Sequence, residues 1–207
     1  VNPRTILTLS NGRGIDLREP RPEDMDFVSI AEHLAKEKRY NGATPGVEYS
    51  VAEHSVRGCD AILREIGDRT LAAYFLLHDC HEAFLKDDTT PKKQLIASIA
   101  ESFGILREHI LSTFDLATYR FDQAIHDAAG LQWPPHSGIA AAVKRWDLRM
   151  FVTEWRDLMP SVEHPDWTPY ANVQPLADTI VPTGWRQAKA LFIERCDALL
   201  PKLRSAA

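Results

Sequence analysis

The stretch LLHDCHEAF, residues 76–84, sets His78, Asp79, His81 and Glu82 inside a run that otherwise reads as buried helix. Titratable side chains in an apolar run cost free energy unless something uses them. A His–Asp pair at adjacent positions converges on one cation where a helix end faces a cavity. Imidazole suits Zn, Mn, Fe, Co or Ni, and carboxylate adds charge that balances the ion. A site that keeps a position open for water needs further protein ligands, and the chain offers two. His54 stands in the first turn of a helix beginning SVAEHSV, and Asp147 sits mid-helix in VKRWDLRM, an acid flanked by Trp146 and Leu148. A His, His–Asp, Asp set drawn from three helices would hold a hydrolytic metal, which lowers the pKa of water and polarises a phosphoryl oxygen.

The elements that must position these residues are nearly all helical. The opening RTILTLSNGRGIDL has short apolar runs about Asn11-Gly12-Arg13-Gly14, a hairpin signal with glycines where a turn needs positive φ. Pro20 and Pro22 follow. MDFVSIAEHLAKEK then places Phe27, Ile30 and Leu34 at helical spacing up to a stop at RYNG. Ser50 to Glu53 has the capping-box pattern, and its helix runs to Gly67. Asp68 caps a third helix that carries the opening motif to about Leu85, with His78 and Glu82 on one face. Thr90-Pro91 starts another segment, Gly104 divides it from helix running towards Ala129-Gly130, and SGIAAAVKRWDLRMFVTEW is a strong helix. Residues 160–183, with five prolines, read as a surface excursion, and 184–203 as the C-terminal helix. The expectation is an all-α single domain, 1–207, with a small N-terminal β-hairpin in residues 1–20.

Composition narrows the function classes. Twenty-nine acids against 24 bases give a net charge of −5 with no Lys/Arg block, which argues against duplex nucleic acid as a partner. Cys59, Cys80 and Cys196 are odd in number and lack metal-knuckle spacing, so they read as reduced thiols of a cytoplasmic protein. No apolar run approaches 18 residues and no leader pattern opens the chain, so neither membrane spanning nor secretion is expected.

In their order, His54, His78-Asp79 and Asp147 resemble the metal set of the HD-domain phosphohydrolases. With KRYNG, YSVAEHS, HDCHEAFLKDDTTPKK and VKRWD as flanks, the resemblance is closest to the YfbR-type bacterial 5′-deoxynucleotidases and the phage dATP triphosphohydrolases. It implies an HD-domain helical bundle with one divalent transition metal ion (Zn, Mn, Co, Fe or Ni, with Mg also admissible) on His54, His78, Asp79 and Asp147. It implies Glu82 and Asp87 as catalytic acids, and Arg39, Tyr40 and Lys93 as residues that bind substrate. His81 is assigned a supporting role, because a third ligand from one short stretch would crowd the ion. Tyr40 stands where the deoxynucleotidases usually carry Trp, and Lys86-Asp87 where Gly-Asp is usual; both departures bear on selectivity and leave the metal set intact. The implied activity is removal of phosphate from deoxynucleoside 5′-monophosphates by a homo-oligomer whose partner is a small nucleotide. The alternatives are a triphosphohydrolase that releases tripolyphosphate, aided by Lys86, Lys92 and Lys93, a silent nucleotide sensor, or a domain whose metal is structural.

Overall fold

The computed structural model describes residues 5–160, 170 and 172–204. Strands β1 (Ile6–Thr8) and β2 (Gly14–Asp16) pair antiparallel, Leu7 opposite Ile15. Of the two glycines expected in the turn, Gly12 has the positive φ of +82°. Gly14 instead belongs to β2, where a Cβ would stand 2.9 Å from the Ile6 side chain, so its need is for space.

Helix α1 (Phe27–Lys36) starts where Asp26 accepts hydrogen bonds from the Val28 and Ser29 amides, and it buries Phe27, Ile30, Ala31, Leu34 and Ala35. Helix α2 (Val51–Glu65) opens on the full capping box: Ser50 accepts from the Glu53 amide while Glu53 reaches back to the Ser50 amide. Helix α3 (Arg69–Leu77) is capped by Asp68 and buries every residue from Leu71 to Leu77. An element apolar on all sides belongs at the centre, and α3 packs against α2, α7 (Ser137–Leu158) and α8 (Trp185–Leu199). Its C-terminal end therefore opens among three neighbours, which is the placement a shared site requires.

The short α4 (Glu82–Leu85) packs on α1. Helix α5 (Thr90–Glu101) lies along the 23-residue α6 (Arg107–Ala129), and Gly104 and Gly130 take the left-handed turns that end them. After α8, Pro201–Arg204 form a last helical turn, α9. The fold is mostly α with a two-stranded N-terminal hairpin. Among the described residues, no helix is long and apolar enough to cross a membrane. Cys59, Cys80 and Cys196 are buried free thiols.

Two expectations are corrected. The third helix does not run on to Leu85: it stops at Leu77, and 78–81 turn tightly, with the Cys80 amide on the Leu77 carbonyl and the Glu82 amide on the Asp79 carbonyl, both 3.0 Å. His78 and Glu82 thus do not share one α-helical face. Part of 160–183 also departs from a surface excursion. Leu176 and Ile180 are buried, and the Leu176, Ile180 and Thr183 amides donate to Thr153, Asp157 and Glu53 at 2.8, 2.8 and 2.6 Å. These bonds strap the segment across α7 and the start of α2. Residues 161–169 and 171 lie outside the described residues.

Candidate metal centre

Three helices bring the predicted donors together: His54, His78 and Asp79 form one group with ligand atoms within 4.8 Å of one another, and Asp147 approaches the two imidazoles from outside that group. His54 projects from the first turn of α2, His78 and Asp79 from the turn that ends α3, and Asp147 from the middle of α7. His54 Nε2 lies 3.4 Å from His78 Nε2, 3.3 Å from Asp147 Oδ1 and 3.9 Å from Asp79 Oδ2. His78 Nε2 lies 3.2 Å from Asp79 Oδ2 and 3.7 Å from Asp147 Oδ1. Donors bound about 2.0–2.2 Å from a four-coordinate ion stand about 3.3–3.6 Å from one another. The five spacings that involve the two imidazoles bracket that range, while Asp79 and Asp147 stand farther apart and would have to close on an ion. His54 is wholly buried, whereas the Asp147 side chain is 42% exposed, so the cluster faces solvent on the α7 side.

The tautomers strengthen the fit. His54 Nδ1 stands 2.6 Å from Glu154 Oε1, and His78 Nδ1 stands 2.6 Å from the Phe75 carbonyl. A carboxylate and a carbonyl can only accept, so both Nδ1 atoms donate, and each neutral imidazole turns its Nε2 lone pair inward. Two such lone pairs then face two carboxylates with Arg39 Nη1, 3.4 Å from Asp79 Oδ2, as the one donor against them among the described residues. Protonating both imidazoles would instead set two N–H groups head to head at 3.4 Å. Either way the cluster has room for a cation and a reason to take one. The charges agree: Asp79, Asp147 and Glu154 against Arg39 leave two negative charges, which a divalent ion balances.

Without such an ion, burial penalises the imidazolium of His54, but Glu154 and Asp147 hold its pKa above the usual value. For His78 the same burial is overcome further, by Asp79 and Asp147. Burial likewise works to raise Asp79 and Asp147, and the facing imidazoles hold both below the usual carboxylate range. Glu82 behaves in the opposite way: burial, then Asp79 and Asp87, push it up to about 9. Tight turning explains that neighbour, because residues three apart eclipse in 3₁₀ geometry. Asp79, His81 and Glu82 consequently bring one ligand atom each within 4.8 Å of one another. His81 is tied to Asp122 at 3.0 Å and stays outside the group of His54, His78 and Asp79.

Glu154, which carries no motif, organises the far side. Wholly buried on α7, it accepts from His54 Nδ1 through Oε1, and through Oε2 from Arg39 Nε at 3.0 Å and the Tyr40 hydroxyl at 2.8 Å. A carboxylate behind a ligating histidine fixes its ring and raises its basicity. The signal was there to read: seven residues separate Asp147 from Glu154, so both face the same way on one helix. Arg39 also reaches Asp79, at 3.4 Å from Nη1, which puts its charge beside the donor set. Tyr40 does not present its hydroxyl to a ligand in this arrangement; it points to Glu154, and the ring packs near Phe151 and Trp155. Tyr40, Asn41 and Gly42 have φ of 56°, 51° and 75°, a run of left-handed backbone that turns Arg39 and Tyr40 inward.

Asp87 and Lys93 stand outside the donor set. Asp87 is half-buried after α4, and its pKa is raised by burial against the pull of Arg39. Lys93, in the first turns of α5, lies over the Phe114 ring and lines a cavity shared with His81 and Glu82. The expected lysine cluster is largely neutralised: Lys86 pairs with Glu37 and Lys92 with Asp88.

No protein-family model matches the chain. An uncharacterized protein of Rhodobacter capsulatus is 45% identical over 98 residues, which cover 45% of this chain and 49% of that protein. The chain spans about half the length of the curated relative it matches. The helical fold with its buried His/Asp/Glu cluster is compatible with a metal site of the HD type.

Proposed function

We propose that the protein is a metal-dependent phosphohydrolase of the HD-domain kind that removes phosphate from deoxynucleoside 5′-monophosphates. The observation that carries this reading is the convergence of His54, His78, Asp79 and Asp147 beside Glu82. Those four residues would hold the ion, which when bound supplies the positive charge that polarises a phosphoryl oxygen and acidifies water. Arg39, oriented by Glu154, adds a second positive charge beside Asp79 for a phosphate to meet. In the reaction a water oxygen bonds to phosphorus and the bond to the 5′ oxygen breaks. Glu82 carries a proton to that leaving oxygen, and Asp87 adds negative charge that favours its protonated form.

The ion pairs of Lys86 and Lys92 support a monophosphate over a triphosphate, since they leave Lys93 as the one member of that cluster without an ion-pair partner among the described residues. Glu82 and Asp87 beside the donors favour an enzyme over a silent sensor. The donor chemistry admits Zn, Mn, Co, Fe or Ni. Three buried free thiols favour a reducing, cytoplasmic setting. Exposed Leu95, Ile99, Phe103 and Leu106 about the α5–α6 connection favour a second copy of the chain as a partner. Phosphorus NMR of the Mn-, Co- or Zn-loaded protein with deoxy- and ribonucleoside mono- and triphosphates tests the reading. Orthophosphate from deoxynucleoside monophosphates is expected, tripolyphosphate would move the protein to the triphosphohydrolases, and no product with any metal would reject the reading.

A further inference from the structure

A cavity of about 330 Å³ lies between the 81–93 segment and α6, with Glu82 in its wall. Leu85, Phe114 and Ala117 give it an apolar wall, while Glu82, Lys93 and Thr118 give it polar points. It joins the metal centre through shared residues: Glu82 and His81 line it, and each has a ligand atom within 4.8 Å of Asp79. Glu82 is 9% exposed, and its Oε2 is buried with no hydrogen-bond partner among the described residues. A buried carboxyl oxygen without a partner is costly, and it marks a place where a ligand atom completes the bonding.

We propose that this cavity is the leaving-group subsite, and that it takes the nucleoside end of the substrate with the base on the Phe114 ring. This rests on the phosphohydrolase reading above. In an in-line displacement the leaving oxygen lies across phosphorus from the attacking water, so the group attached to it must extend away from the donors. The cavity that begins at Glu82 offers that path. Its volume is at the lower end of the range for small-molecule sites, which suits one nucleoside and no larger group. Phe114 is half-buried in α6 and supplies a π-face, the usual platform for a base. Thr118, one turn on along α6, adds a hydroxyl.

The test uses the full chain and two independent variants, Phe114→Ala, which removes the platform, and Thr118→Trp, which fills the space. 2′-Deoxyadenosine is titrated into metal-free protein by calorimetry, and kcat/KM is measured on metal-loaded protein for dAMP and for deoxyribose 5-phosphate, which lacks a base. Stacking contributions of the usual size predict that Phe114→Ala weakens deoxyadenosine binding by about 5- to 150-fold. The ratio of the two kcat/KM values should fall by a similar factor, and Thr118→Trp should abolish nucleoside binding. Unchanged binding and an unchanged ratio in both folded variants, with dAMP still hydrolysed, would overturn the subsite and leave the activity standing. Phe114-dependent nucleoside binding with no hydrolysis of any phosphate ester would uphold the nucleoside site on Phe114 but reject the activity, and with it the leaving-group role. Wild-type protein that binds no deoxyadenosine at millimolar concentration and hydrolyses both esters equally well would also overturn it.

Discussion

Replacing Glu154 by Gln changes one atom type at the point where three donors meet. The carboxylate accepts from His54, Arg39 and Tyr40 at 2.6, 3.0 and 2.8 Å, and its side chain has no exposed surface. A carboxamide has one oxygen, so its NH₂ must face either His54 or the Arg39–Tyr40 pair. If it faces His54, Nδ1 must accept, and the ring proton moves to Nε2, into the middle of the metal donors. If it faces Arg39 and Tyr40, the guanidinium keeps only its 3.4 Å contact to Asp79. Hydrogen bonds to charged groups contribute about 1.5–3 kcal/mol each, and breaking a buried pair costs about 3–5 kcal/mol. With Asp79 as a remaining partner, the expected loss for the metal-free protein is about 3 kcal/mol. Loss of the carboxylate behind His54 should weaken Mn or Co binding by about 10- to 100-fold. Urea unfolding of metal-free protein and calorimetric metal titration read the two effects separately. A variant within about 0.5 kcal/mol of the parent in stability, well below the cost of a lost buried pair, and with unchanged metal affinity, would refute the role given to Glu154.

Gly58→Ala is expected to destabilise despite the better helix propensity of Ala, because its Cβ would stand 2.0 Å from Phe75 Cε1. The Phe75 ring packs 4.6 Å from the His78 ring and 5.6 Å from His54, so a lower melting temperature, a net loss of about 1–3 kcal/mol, should come with weaker metal binding. Burial lowers the pKa of His126 below its usual 6.5, so the native state binds fewer protons than the unfolded one. The stability it contributes is present above pH 6.5 and lost as the pH falls through the lowered native value. His126→Phe, which keeps an aromatic ring against Tyr74 and Trp133, should flatten the stability profile below pH 6.5, measured by urea unfolding at a series of pH values. An equally steep acid loss in the variant would contradict that assignment.

Much of this molecule was legible because short-range chemistry controls it. Ser50 with Glu53, Asp68 and Gly130 act where their residue types announce caps, since capping depends on atoms three or four positions away. The grouping of His54, His78 and Asp79 was legible because an ion's needs restrict both residue types and spacing. The end of α3 was not, because Leu76-Leu77-His78 continues the apolar period, while the turn is made by backbone bonds such as Cys80 to Leu77 and by His78 Nδ1 on the Phe75 carbonyl. Glu154 escaped notice because a lone helical acid ordinarily faces water, and its three partners come from 100 to 115 residues away. The strap at 172–183 was hidden for the same reason: its amides are satisfied by Thr153, Asp157 and Glu53, which no local pattern points to.

The most direct test of the account is anomalous diffraction from crystals grown with Mn or Zn, recorded at the absorption edge of the metal. One strong peak per chain is expected, about 2.0–2.2 Å from His54 Nε2, His78 Nε2 and an oxygen of each of Asp79 and Asp147. A site without density at that point, or a peak held by other residues with His54 Nε2 turned away, would contradict it.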